Sequence, residues 1–158
     1  MTYGIIDRKC HESYTLMSIV FSGINDVQKD YNWLITDCEV CSKNIENEEL
    51  FSRRYCWLTG EELSRIIEEE DFQWIWGVLS GFEKDIPLEE VLKYPLPDAV
   101  DYNGYYKNPL SLQHPLSTIE IVPCDSSWTL ILSKDKKVID DYVEHYPKVQ
   151  DLTLENQE

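Results

Sequence analysis

The chain has 158 residues, 30 of them Asp or Glu against 14 Lys or Arg, so its formal net charge is −16. The length fits one domain, and 42% hydrophobic and 12% aromatic residues supply a core, which excludes global disorder. The charge disfavours nucleic acid and anionic membrane surfaces, whose phosphates it repels, and favours a basic protein as partner.

The N-terminus, MTYGIIDRKCHESY, carries charges at positions 7 to 9 with no apolar core of signal-peptide length before them. The best apolar stretch, Leu16 to Ile24, is broken by Ser18, Ser22 and Gly23 and falls far short of the roughly 20 residues a membrane helix needs. The expectation is a cytoplasmic protein. Leu16, Ile19, Val20 and Phe21 at helical spacing predict an amphipathic helix over 12–23 that ends near Gly23. Residues 31–41, rich in aromatic and β-branched side chains, read as a strand. Ser42 to Glu49 is a loop or short helix, and Tyr55 to Leu58 a short strand.

Thr59 then opens the clearest local signal. It is an N-cap, and Glu62 three residues later completes a capping box. Leu63, Ile66 and Ile67 form the buried stripe of a helix running to about Glu70. Residues 71–80 read as a central strand, with Phe72, Trp74, Trp76 and Val78 on one face and Gln73, Ile75, Gly77 and Leu79 on the other. A short helix begins at Pro87. Residues 95–115 hold four of the seven prolines, with Tyr102, Tyr105 and Tyr106, and form a long irregular segment on the surface. The runs 118–122 and 128–132 predict a hairpin. Ser133 to Lys136 caps a final helix through about Tyr146, with Val138, Ile139, Tyr142 and Val143 facing inward. The sum is a single α+β domain over 1–153, a mainly antiparallel sheet with helices on at least one face, followed by a frayed acidic tail at 154–158.

Chemistry is sparse in this sequence. Five cysteines, an odd number, argue against a disulfide framework. Cys38 and Cys41 have metal-ligand or redox spacing, but a second ligand pair is missing and the pair follows strand-like residues, so they read as incidental thiols, and no metal or cofactor is expected. His11 beside Cys10 is weak as a nucleophile pair, and His145 suits the last turn of a helix. Asp125, Ser126 and Ser127 suit a hairpin turn better than a nucleophile, whose base could only be His114. Trp74 and Trp76 read as core rather than a ligand platform. Tyr102, Tyr105 and Tyr106, set among Asp98 and Asp101, are open between partner binding and loop packing. The run Glu68, Glu69, Glu70, Asp71 sits unfavourably at a helix C-terminus, a cost that a binding surface would explain.

The chain contains, in this order, the phrases Tyr31-Asn-Trp-Leu-Ile35, Trp57-Leu-Thr-Gly-Glu-Glu-Leu63 and Phe72-Gln-Trp-Ile-Trp-Gly-Val-Leu-Ser-Gly-Phe82. With His114-Pro-Leu-Ser-Thr-Ile-Glu-Ile-Val122, Asp125-Ser-Ser-Trp-Thr-Leu-Ile-Leu-Ser-Lys-Asp135 and the closing Asp151-Leu152, they span about residues 16–152. In texture and word order the chain resembles small acidic bacterial proteins akin to the immunity proteins of polymorphic toxin systems. The resemblance implies a non-catalytic protein that binds and blocks a cognate toxin domain, often a basic nuclease.

The reading is therefore a cytoplasmic binding protein, monomeric or homodimeric, that occludes a basic partner, with no nucleic acid or membrane involved. Its candidate contact residues are Glu68, Glu69, Glu70, Asp71, Asp98, Asp101, Tyr102, Tyr105 and Tyr106. The alternatives are a small cytosolic enzyme using Cys or Asp/Ser chemistry, and a housekeeping or oligomerisation module.

Overall fold

The computed structural model describes residues 1–8 and 15–157. In chain order its elements are β1 (Tyr3–Arg8), α1 (Met17–Gly23), a 3-10 turn (Val27–Asp30), β2 (Tyr31–Cys41), α2 (Ile45–Phe51), β3 (Tyr55–Thr59) and α3 (Gly60–Glu69). They continue with β4 (Gln73–Glu83), α4 (Leu88–Val91), β5 (Ile119–Cys124), β6 (Trp128–Ser133), α5 (Lys136–His145), β7 (Gln150–Asp151) and α6 (Leu152–Glu155). The strands form one sheet in the order β3-β2-β4-β5-β6-β1-β7, each neighbour antiparallel. This is an α+β domain, as the element order predicts. No helix among the described residues is long and apolar enough to cross a membrane.

Strand alternation sends side chains to two different layers. Ile5, Trp33, Ile35, Trp74, Ile119, Ile121 and Ile131 meet Val20 and Phe21 of α1, Phe51 of α2, Leu63 and Ile67 of α3, and Val138, Ile139 and Tyr142 of α5. This helical face holds the larger core. The opposite face has almost no helix. Ile6, Val78, Val122, Leu130 and Leu132 pack under Tyr105, Leu110 and Leu152, and Leu34 and Phe82 pack under Val91. Most of that cover is the irregular chain between α4 and β5. The proline-rich segment is thus a structural layer, and its aromatics are only partly on the surface.

Strand β1 escapes the sequence reading because charges at Asp7 and Arg8 interrupt its apolar run. It lies between β6 and β7, with Asp7 buried and accepting a hydrogen bond from the Tyr142 hydroxyl. Where described, the predicted helix over 12–23 begins at Met17, and residues 12–14 lie outside the described residues. The single row foreseen for Phe72, Trp74, Trp76 and Val78 is also corrected. Phe72 and Trp74 face the helices, whereas Trp76 and Val78 face the other side. The cause is a bulge: Glu39 pairs with Trp76 and Val40 with Trp74, which leaves Ile75 without a partner and inverts the alternation. A second slip lies between Thr36 and Glu39, where Asp37 adopts a left-handed φ of 50°.

At the C-terminal end, Val143 is 38% exposed rather than inward, while Val138, Ile139 and Tyr142 are buried as expected. Part of the tail read as frayed, 154–158, has regular structure. It forms α6, Glu155 pairs with Arg8, and Asn156 Nδ2 donates to the Tyr105 carbonyl at 2.9 Å.

The capping box forms as read: the Thr59 hydroxyl accepts from the Glu62 amide at 3.1 Å, and Glu62 Oε1 accepts from the Thr59 amide at 2.9 Å. Gly60, next in line, is required by close approach, since a Cβ there would lie 2.0 Å from the Gln28 carbonyl oxygen. Thr59→Ala is expected to cost about 1 kcal/mol through the lost cap. Gly60→Ala, which must push α3 off the 3-10 turn, should cost about 1–3 kcal/mol. Urea denaturation of the two variants checks both values.

Candidate functional site

Helix α3 ends at Glu69, and the four acids that follow its buried stripe separate into two kinds. Glu70 accepts from the Lys43 amide at 2.8 Å and from the Ser42 hydroxyl, tying α3 to the start of α2. These bonds hold its carboxyl below the usual carboxylate range, the Ser42 hydroxyl most strongly. Asp71 accepts from the amide and hydroxyl of Ser18 in α1. Glu70 is half-buried and Asp71 exposed, and both act as clamps. Glu68 and Glu69 are exposed and have no ion-pair partner among the described residues. Four successive acids are therefore tolerated at a helix end because two of them bond neighbouring elements, leaving two as an open acidic rim.

Beside that rim, α1 and α3 enclose a groove of about 210 Å³ whose lining includes Phe21, Ile67, Ser18, Ser22, Asp26 and Glu68. Gln28, 1% exposed, also lines it and joins the 3-10 turn to α3, donating from Nε2 to Asp26 Oδ1 at 3.2 Å and to Ser64 Oγ at 3.1 Å. An ionised Asp26 carboxylate can only accept, which fixes the orientation of the Gln28 amide. The groove is smaller than the roughly 300–1,000 Å³ of small-molecule pockets and suits a single side chain.

The second predicted group lies on the other face of the sheet. Tyr105 is 2% exposed and belongs to the core beneath the irregular cover, so it is not available as a surface anchor. Its hydroxyl donates to Glu120 Oε1 at 2.8 Å. Tyr102 is half-buried, its hydroxyl held by Ser111 and the Leu112 carbonyl. Tyr106 remains 46% exposed. Asp98 Oδ1 accepts from the amides of Val100 and Asp101 at 2.7 and 2.9 Å, which keeps its carboxyl below the usual range. Asp101 is exposed. The acidic rim packs on the helical face and the tyrosine segment on the opposite one, so the structure does not bring the two predicted groups together.

Glu120 is the residue the sequence conceals. In the run Thr118 to Val122 it alternates with isoleucines and looks like a solvent-facing acid, yet it is 0% exposed. Its Oε1 accepts from the Gln113 amide and the Tyr105 hydroxyl, and its Oε2 meets the His114 amide at 2.9 Å and Ser117 Oγ at 2.9 Å. His114 is equally occupied. Nδ1 accepts from the Leu116 amide, so Nε2 carries the proton and donates to the Val91 carbonyl at 2.9 Å. Burial lowers its pKa and keeps the ring neutral.

The other chemical candidates also have structural posts. Burial pushes the thiols of Cys38, Cys56 and Cys124 up, Cys56 to about 12 and Cys124 to about 11, which disfavours the reactive thiolate. Cys38 and Cys41 lie on a strand, and no cluster of three or more His, Cys, Asp or Glu suited to a metal occurs among the described residues. Cys10 and His11 lie outside the described residues. Asp125 and Ser126 both have left-handed φ in the β5–β6 turn, and Ser126 donates its amide to the bulged Ile75. Trp74 is core, stacked with Phe72 and edge-on to Phe51, while Trp76 is half-buried on the other face. A cleft of about 420 Å³ beside the β2 bulge collects Asp37, Asp98, Arg53 and Arg54, among others. Of these, the Arg doublet in a chain so poor in cations was the signal available in the sequence.

The Ser117 hydroxyl has one proton but two contacts, with the His114 carbonyl and Glu120 Oε2, both at 2.9 Å. If Ser117 donates to the carbonyl, a protonated Glu120 donates to Ser117 and every group is satisfied. Burial, which pushes this carboxyl up against its donors, favours the same neutral form. A raised carboxyl contributes stability that is fully present below its unfolded pKa of about 4.3 and is lost as pH rises through the folded value. Stability should thus decline with rising pH by a component that the non-titrating Glu120→Gln lacks. Denaturation midpoints of both proteins between about pH 5 and about pH 9 check this.

Residues 7–96 match the family described as a protein of unknown function, DUF2691. The match runs from the end of β1 to the start of the irregular cover and includes the acidic rim and both guanidinium groups of the cleft. No curated protein and no solved structure matches the chain. Because the match covers more than half of its residues, the chain belongs to the DUF2691 family.

Proposed function

We propose that this protein is a non-catalytic binding protein that neutralises a basic protein domain, in the manner of the immunity proteins its sequence resembles, and that it meets that partner with the helical face. The observation that carries the reading is the rim formed by Glu68 and Glu69, exposed and without ion-pair partners among the described residues, on a segment clamped by Glu70 and Asp71. Clamping matters because a rim on a fixed backbone loses little main-chain freedom on binding. The α1–α3 groove, with an apolar floor and Asp26 and Glu68 in its lining, suits the stem and charged head of a partner Lys or Arg. The net charge of −16 supports fast, steered association.

The catalytic alternative loses support from the thiols raised by burial, the fully bonded His114 and the turn role of Asp125 to Ser127. The tyrosine segment is left out of the proposed contact, since it lies behind the sheet and Tyr105 is core. Cys38, Cys41, Cys56 and Cys124 are free thiols, in keeping with action in the reducing cytoplasm, as a monomer or homodimer.

The test is stopped-flow association with the partner that co-purifies from the native host, at several salt concentrations. The on-rate should fall steeply as ionic strength rises. Joint Glu68→Lys and Glu69→Lys substitution should slow association on the order of ten-fold, more than it speeds dissociation. A salt-independent on-rate contradicts the reading, as does turnover of a substrate by the isolated protein.

A further inference from the structure

The cleft beside the β2 bulge has a charge arrangement that the binding reading does not use. Arg53 and Arg54, in the turn between α2 and β3, form one part of its wall. Both are exposed, and neither has an ion pair or hydrogen bond among the described residues. Asp37 and Asp98 form another part. Each uses one oxygen to hold the irregular cover: Asp37 Oδ2 accepts from the Ala99 amide at 2.8 Å, and Asp98 Oδ1 from those of Val100 and Asp101. The other oxygen of each has no donor among the described residues. Two guanidinium groups and two carboxylates thus share a cleft of about 420 Å³ without pairing with one another.

A purely anionic guest would gain from the arginines and be repelled by the aspartates, and a purely cationic guest the reverse. A guest bearing both charges satisfies both parts. The volume falls within the roughly 300–1,000 Å³ typical of small-molecule sites. We infer that this cleft binds a free amino acid, its carboxylate held by Arg53 and Arg54 and its ammonium by Asp37 and Asp98. Guanidinium groups match a carboxylate with paired donors, and an ammonium offers three donors to the free carboxylate oxygens. Thr36, which also lines the cleft, has a buried hydroxyl without a partner among the described residues. Leu96 and Pro97 add an apolar wall, which makes a branched aliphatic side chain the natural probe. The bulge is what creates the site: with regular alternation through Thr36 and Asp37, the strand would not place Asp37 at the cover.

The experiment is a titration of isotope-labelled protein with L-leucine, followed by NMR at the Asp37 and Ala99 amides. L-leucine should shift these resonances saturably. N-acetyl-L-leucine, which lacks the ammonium, and L-leucinamide, which lacks the carboxylate, should each bind about ten-fold or more weakly. Arg54→Ala, a change at an exposed side chain, should abolish the response. So should Asp98→Asn, whose side-chain oxygen can still accept the Val100 and Asp101 amides and keep the turn. Unmoved resonances up to the solubility limit of L-leucine overturn the inference. So does equal binding of either blocked analogue, or a response that survives both substitutions.

Discussion

One buried carboxyl governs the half of the molecule that has no helices to cover it. Glu120 lies in β5 under the irregular chain and gathers the Gln113 and His114 amides, the Tyr105 hydroxyl and Ser117. A segment without regular structure must find partners for its own backbone groups wherever it is buried. Here a single side chain meets two of those amides and fixes the tyrosine that fills the space above Val78 and Val122. His114 extends the network to the Val91 carbonyl at the end of α4. The cover is thereby anchored along its length, from α4 to the strand it returns to.

The helical face is organised differently. Gln28 is its hinge-pin: its side chain binds Ser64, its carbonyl accepts the Trp33 indole at 2.9 Å, and its backbone packs against Gly60. The start of α3 is therefore set twice, by the Thr59 cap within the helix and by the 3-10 turn beneath it. That placement carries the far end of the same helix, with Glu68 and Glu69, to its position beside α1.

Local chemistry was legible in the sequence and tertiary context was not. The Thr59–Glu62 capping box, the strand over 31–41 and the turn at Asp125 to Ser127 are each decided by neighbours in the chain, and each appears where the residues indicate. Strand β1 is hidden because the acid at position 7 is buried against Tyr142, 135 residues away, whose hydroxyl donates to it. The inverted faces of β4 depend on an unpaired Ile75, which no periodicity announces. Glu120 misleads most, since a carboxylate between two isoleucines has the pattern of a half-exposed strand and its cover arrives from another segment. Of the candidate contact residues, the acidic run could be recognised as a surface, but its division into clamps and open rim required the positions of Ser18 and Ser42. Tyr105 shows the converse, a loop aromatic that the fold consumes as core.

The two layers over the sheet also differ in how freely their sequences can change. Helices supply their own backbone bonds, so an exposed position on α1 or α3 can be replaced at the cost of its own contacts. The irregular cover borrows its bonds from individual side chains such as Glu120, Gln113, Asp98 and Asn156, and losing one releases a length of main chain. Such a molecule can vary quickly on one side and only slowly on the other. The adaptable surface is therefore the helical side, and that is where Glu68 and Glu69 of α3 are found.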